Sequence, residues 1–149
     1  MADLVVTISE SVTINGALRG SSNTVTVADV TSTFERVVTC PHSNVTTIAT
    51  FNSNVYGSAG AIDLENTKYI RVTNTSSTAV LDLAIVTENT NYQVVLTAGA
   101  SHMLCQADTA AIAEADTSPN FPTLEDITSI QVKPRGTDDA NVEIFVAVL

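Results

Sequence analysis

The stretch Lys-Tyr-Ile-Arg-Val-Thr-Asn (68–74), continued by Ala-Val-Leu-Asp-Leu-Ala-Ile-Val (79–86) and Asn-Tyr-Gln-Val-Val-Leu (91–96), alternates apolar and polar residues. A two-residue period places successive side chains on opposite faces of a β-strand, so one set is expected in a core and the other in solvent. Tyr69 and Arg71 should therefore point away from the core. The predicted core set comprises Ile70, Val72, Leu81, Leu83, Ile85, Val94 and Leu96.

The same alternation extends in both directions from this stretch. It recurs at 130–133 and 142–146, and shorter strands are predicted at 4–8, 12–14, 24–27, 34–39 and 45–51, with Asn15-Gly16 as a hairpin turn. The one credible helix covers 108–115, where Ala is frequent. About ten strands with regular turns predict a single domain over 1–149, an all-β, antiparallel β-sandwich of jelly-roll type with at most one short helix. A closed β-barrel is the alternative.

The charge of the chain excludes several functions. Charged residues make up 15% of the sequence, and the net charge is −10 with only six Lys and Arg. Nucleic-acid binding needs a basic stripe that replaces phosphate counterions, and an anionic membrane surface would repel this chain. No nucleic-acid or membrane partner is therefore expected. The acidity leaves solubility, cation binding and docking on a basic partner open.

The N-terminus shows no basic segment followed by an apolar one, so no signal peptide is predicted. No apolar run approaches the ~20 residues that a membrane helix needs. Synthesis in the cytoplasm is the expectation.

Two thiols and two imidazoles are the soft metal ligands of the sequence: Cys40, His42, His102 and Cys105. They match the inventory of a structural zinc site. However, His102 and Cys105 are three residues apart and would point to opposite faces of an extended strand. The alternatives are a Cys40–Cys105 disulfide or two free thiols. We predict no metal and no cofactor.

Catalytic patterns are weak in this sequence. Ser43 and Ser101 adjoin the two histidines, but neighbours on a strand face apart and no Gly-x-Ser-x-Gly elbow occurs. Loop carboxylates could supply some calcium ligands, although none follows the Asp-x-Asp-x-Asp-Gly pattern, and solvated loop charge is the simpler interpretation. These pairs are Asp63/Glu65, Glu114/Asp116, Glu125/Asp126 and Asp138/Asp139. No catalytic residue is predicted, and we expect a protein that is not an enzyme.

Both ends of the chain carry apolar strands without the charged residues that usually protect a sheet edge. Such strands are expected to be buried, either inside the sandwich or against another subunit, and burial within the chain explains one of them more easily than both. This predicts a homo-oligomer, with a trimer as the first expectation, or docking on a larger lattice. The predicted interface residues are Leu4, Val5, Val6, Ile8, Phe145, Val146, Val148 and Leu149.

Residues 66–149 resemble small β-sandwich virion proteins of tailed bacteriophages. The resemblance rests on Tyr-Ile-Arg-Val-Thr-Asn-Thr, on Val-Leu-Asp-Leu-Ala-Ile, and on the turn Leu96-Thr97-Ala98-Gly99-Ala100-Ser101 after a strand that ends in Asn. Segments 127–132 and 136–148 are similar to the closing strands of that group. The resemblance implies a non-enzymatic component of the particle: capsid decoration, a connector or tail part, or a fibre head. Of these we expect a protein that decorates or cements the capsid, with the major capsid protein or other virion components as partners. The alternative is a tail- or fibre-associated binding module that recognises a host glycan or receptor, for which the loop at 52–60 could serve.

Overall fold

The structure, a computed structural model, describes residues 2–54, 59–105, 107, 109–110 and 123–149. These residues form an all-β architecture, as predicted, in which antiparallel sheets pack as a sandwich, and they contain no helix. The strands are β1 (Ala2–Ser9), β2 (Val12–Ile14), β3 (Ala17–Arg19), β4 (Ser22–Val30), β5 (Ser32–Cys40), β6 (Thr46–Asn52), β7 (Ile62–Asp63), β8 (Thr67–Asn74), β9 (Leu81–Thr87), β10 (Asn91–Leu96), β11 (Ser101–Leu104), β12 (Thr109–Ala110), β13 (Glu125–Pro134) and β14 (Ala140–Val148).

Two sheets make the sandwich. The four-stranded sheet has the order β11-β8-β14-β5, and the six-stranded sheet has the order β10-β9-β13-β6-β7 with β12 on β13. Every strand pair in them is antiparallel except β6 with β7. The chain therefore has more strands than the ten expected, because several are only two or three residues long.

The predicted side-chain phase is confirmed. Six of the seven predicted core residues are at most 4% exposed, and Val94 is partly buried against the same core. The closing strand contributes Val142, Ile144 and Val146 from its even positions, each 0% exposed. A slip of one residue would expose this whole set, so the alternation fixes the register of the sandwich.

Asn74 ties together the turns at one end of the sandwich. Its side chain is fully buried, and its Nδ2 donates to the carbonyl oxygens of Ala79 at 2.7 Å and Leu96 at 3.1 Å. Its backbone N–H donates to Ala100, and its carbonyl accepts from Gly99. Asn at the end of β8 and the 96–101 turn are therefore two halves of one hydrogen-bonded unit.

The C-terminal strand is not a sheet edge, so of its two predicted alternatives the structure shows burial inside the sandwich, and the predicted edge contact at 142–149 is wrong. β14 lies between β5 and β8 and pairs with both along its length. An apolar run of this kind is typical of a strand buried on both faces, and here the chain itself supplies both neighbours and both faces.

The predicted helix at 108–115 is wrong where the structure describes it. Thr109–Ala110 is a short strand that pairs with Glu125–Asp126. A helix of barely two turns is marginal alone, whereas pairing with an existing sheet satisfies the same backbone groups. The remainder of that prediction lies outside the described residues.

Candidate functional site

Residues 2–30 form one long β-hairpin, here called the arm, that precedes the sandwich. β1 pairs with β4 and β2 with β3, and the pairs Ser9↔Ser22 and Val12↔Arg19 continue a single register. The turn residues Asn15 and Gly16 have φ angles of 51° and 75°. Positive φ at both positions is the type I′ geometry, which confirms the predicted turn.

A glycine allows the two halves of the arm to continue into each other. The Glu10 N–H donates to the Ser21 carbonyl at 2.9 Å, so the ladder persists between the paired segments. Gly20, beside this bond, has a φ of 127°, and a Cβ there would lie 2.0 Å from the Glu10 carbonyl oxygen. Only glycine fits this close backbone approach.

The lower part of the arm packs on the outer face of the four-stranded sheet. Tyr69 is 3% exposed and Ala147 is fully buried, and both lie in a second apolar cluster outside the main core. The arm base, defined as Leu4, Val6, Val27 and Val30, supplies the arm's side of that cluster. Tyr69 does point away from Ile70, as predicted, but towards the arm instead of into solvent.

The rest of the arm presents aliphatic side chains to water. All six strand residues of the arm tip, defined as residues 12–19, are exposed. Of the predicted interface residues in the arm, Val5 and Ile8 are exposed, whereas Leu4 and Val6 contact the chain's own sheet. Exposed residues that the interface prediction missed are Val12, Ile14, Leu18 and Val25. The signal that could have revealed them is the near absence of charge between residues 4 and 28.

The C-terminal half of the predicted interface is mostly enclosed by the chain itself. Val146 and Val148 lie in the sandwich core, and Phe145 makes an edge-to-face contact with Tyr69 at 6.2 Å beneath the arm. Only Leu149 is exposed, at 36%. The physical reason is the central position of β14, which leaves no free edge for a partner.

A groove of about 360 Å³ runs beside the arm base and is called the base groove. One wall is β1 from Leu4 to Thr7, and β1 pairs only with β4 among the described residues. The floor and opposite wall are Tyr69, Arg71, Met103 and Phe145. Arg71 forms an ion pair with Glu143 and donates to Thr73 at 2.6 Å, so its charge is compensated within the sheet.

The histidines and cysteines are placed apart in the fold. His42 contacts the Asp139 carboxylate through its backbone N–H and its Nδ1, each at 2.9 Å, and these contacts hold the pKa of Asp139 below its usual value. His102 Nε2 lies 2.6 Å from the Tyr92 hydroxyl, and burial lowers the pKa of His102. Cys40 is buried, Cys105 is exposed, and both are free thiols. In the part of the chain that the structure describes, no three metal-ligating side chains converge.

Two of the loop carboxylates, Asp63 and Glu125, accept hydrogen bonds from the backbone and from neighbouring side chains. Asp63 accepts from the Asn66 side chain at 2.8 Å, and Glu125 accepts from the Thr87 hydroxyl and from both the backbone and side chain of Asn89. The hydrogen bond from Thr87, followed by those from Asn89, lowers the pKa of Glu125. The Glu114/Asp116 pair lies outside the described residues.

A second groove of about 300 Å³, lined by both amide and aliphatic side chains and called the polar groove, crosses the outer face of the six-stranded sheet. Gln93 and Gln131 stand beside Asp82 and Lys133, with aliphatic side chains such as Ala84 between them. Amide groups around an apolar floor can hydrogen-bond a small polar ligand.

Comparison with known proteins gives no relative: no family model, no curated protein and no solved structure matches this chain. Among the described residues, no helix has the length and apolar character required to cross a membrane.

Proposed function

We propose that this chain is a non-enzymatic structural protein of a tailed-phage particle that decorates or cements the capsid shell. The single observation that carries the proposal is the arm. This hairpin of residues 2–30 extends away from the sandwich and exposes aliphatic side chains. Exposed apolar surface of this extent is typical of protein interaction sites. The resemblance of residues 66–149 to phage β-sandwich proteins supplies the class.

The proposed partners are the major capsid protein or other virion components, together with further copies of the chain in a homo-oligomer such as a trimer. The net charge of −10 keeps free copies soluble and apart until they dock, and it disfavours DNA as the ligand. The proposed location is the virion, after synthesis in the host cytoplasm.

Restoring the chain to particles that lack it tests this proposal. Particles from a gene deletion are incubated with purified, gold-labelled chain and imaged by electron microscopy. The proposal predicts saturable label over the whole shell. Label confined to the tail, or no label at all, would contradict it. A matched control uses particles that already carry the chain, whose sites should be occupied.

The second candidate is a tail- or fibre-associated module that binds a host glycan. The polar groove favours it, because Gln93 and Gln131 place amide donors and acceptors over aliphatic side chains. A glycan array tests this candidate directly. Binding that is lost in a Gln93→Ala/Gln131→Ala variant and retained in an arm variant such as Leu18→Thr would support it over capsid decoration.

A further inference from the structure

The arm tip is an apolar element whose six strand residues are all exposed in the described part of the chain. Val12, Ile14 and Leu18 are 51%, 55% and 73% exposed. Each half of the arm, residues 2–14 and 17–30, spans about 40 Å at the usual strand rise, so the tip lies far from the sandwich that holds its base. A two-stranded ribbon in water is only marginally stable, and packing on another surface is what normally holds one.

The base groove has the properties that such a ribbon requires. It is lined by Val5, Tyr69, Met103 and Phe145, and its one cation is compensated by an ion pair. The β1 wall of the groove offers unpaired backbone N–H and C=O groups, because β1 pairs with β4 alone among the described residues. An added strand could pair there while its apolar side chains fill the groove.

The distribution of charge permits a second copy as the occupant, because the tip lies in a stretch without net charge. Residues 4–28 contain one acidic and one basic residue, Glu10 and Arg19, which leaves the whole net charge of −10 to the rest of the chain. Two sandwich bodies therefore repel each other, whereas residues 4–28 of the arm carry no net charge and approach a neighbour without that cost. The exposed aliphatic surface of the arm equals about three complete side chains, contributed by Val5, Ile8, Val12, Ile14, Leu18 and Val25. Val12 and Ile14 lie on one face of the tip and Leu18 on the other, so exchange buries the face that seats in the groove and leaves the other face exposed.

We propose that the arm tip of one copy seats in the base groove of another copy and adds a strand to the free edge of β1. Each chain carries one tip and one groove, so the exchange saturates both in a closed ring. This contact involves only copies of this chain and does not rest on the virion proposal: failed particle binding leaves it standing, and failed exchange leaves capsid docking possible.

Sedimentation of the full chain at micromolar concentration tests the exchange with matched variants. An Ile14→Thr/Leu18→Thr variant removes the apolar tip, Val5→Lys places a charge in the groove, and Val37→Thr is the control, since Val37 is 67% exposed on β5. All three sites are exposed, so the fold should persist, which circular dichroism checks. We expect the wild type and the control to be oligomers. In the tip and groove variants the dissociation constant of the oligomer should rise more than about tenfold.

Mixing the two defective variants is the decisive part of the experiment. The Val5→Lys variant retains an intact tip and the Ile14→Thr/Leu18→Thr variant retains an intact groove, so a one-to-one mixture should form a heteromeric contact that neither forms alone. Fluorescence transfer between labelled copies reads this out. A monomeric wild type, an oligomer unaffected by both variants, or a mixture that does not associate would overturn the proposal.

Discussion

Replacing Asn74 with Ala should remove a large part of the stability of the sandwich. The Asn74 side chain donates to the buried carbonyls of Ala79 and Leu96, and its Oδ1 accepts from the Ser76 N–H at 3.1 Å. Each lost hydrogen bond with an unsatisfied buried partner costs about 1–1.5 kcal/mol, so the change should lower the free energy of unfolding by roughly 3–4 kcal/mol. For a chain of this size that corresponds to a fall in Tm of about 10 °C.

Urea denaturation at fixed protein concentration measures this loss from the midpoint, with the slope expected to stay constant. Asn91→Ala is the matched control, because Asn91 is exposed and its Oδ1 accepts a hydrogen bond from the Gln93 side chain at the surface. It should change stability by less than about 0.5 kcal/mol. A loss below about 1 kcal/mol for Asn74→Ala would refute the reasoning that this side chain joins the two turns.

Three further predictions concern the arm, pH and the thiols. Gly20→Ala should accelerate amide hydrogen exchange in the arm, because a Cβ there collides with the opposite backbone. Gly16→Ala is the control and should accelerate exchange less, because a Cβ at that turn meets open space. Equal acceleration in the two variants would contradict this. Burial lowers the pKa of His102 in the folded protein, so its contribution to stability is present above the unfolded pKa and is lost as pH falls through the folded pKa. The urea midpoint should therefore fall less between pH 7 and pH 5 in the His102→Gln variant than in the wild type. Equal falls in the two proteins would contradict this. A thiol reagent should modify Cys105 in the native protein and Cys40 only after denaturation; rapid reaction of both would show that Cys40 is accessible.

Much of the sandwich could be predicted because the alternation of apolar and polar residues shows which side chains share a face of a β-strand. The strands from 68 to 96 follow the predicted phase, and the Asn15-Gly16 dipeptide marks the arm's turn, since few residue pairs tolerate positive φ at both positions. These features depend on local geometry, which a single sequence encodes.

The neighbours of each strand could not be predicted, because an apolar strand looks the same wherever its burial comes from. Val142–Leu149 reads equally as an interface strand and as a central one, and the pairing with β5 and β8 decides it. Conversely, Val12 and Ile14 alternate like core residues although they lie in the exposed arm. The alternation places Tyr69 on the solvent face, and it gives no sign of the arm that covers this residue, because the arm is distant in sequence.

The copy number of the chain in purified virus particles tests the central claim most directly. Quantitative mass spectrometry with isotope-labelled peptides of this chain and of the major capsid protein gives their ratio in one measurement. A protein that decorates the shell must be present in hundreds of copies, in a fixed ratio to the capsid protein. Its absence from intact particles, or a count of only a handful per particle, would contradict the account.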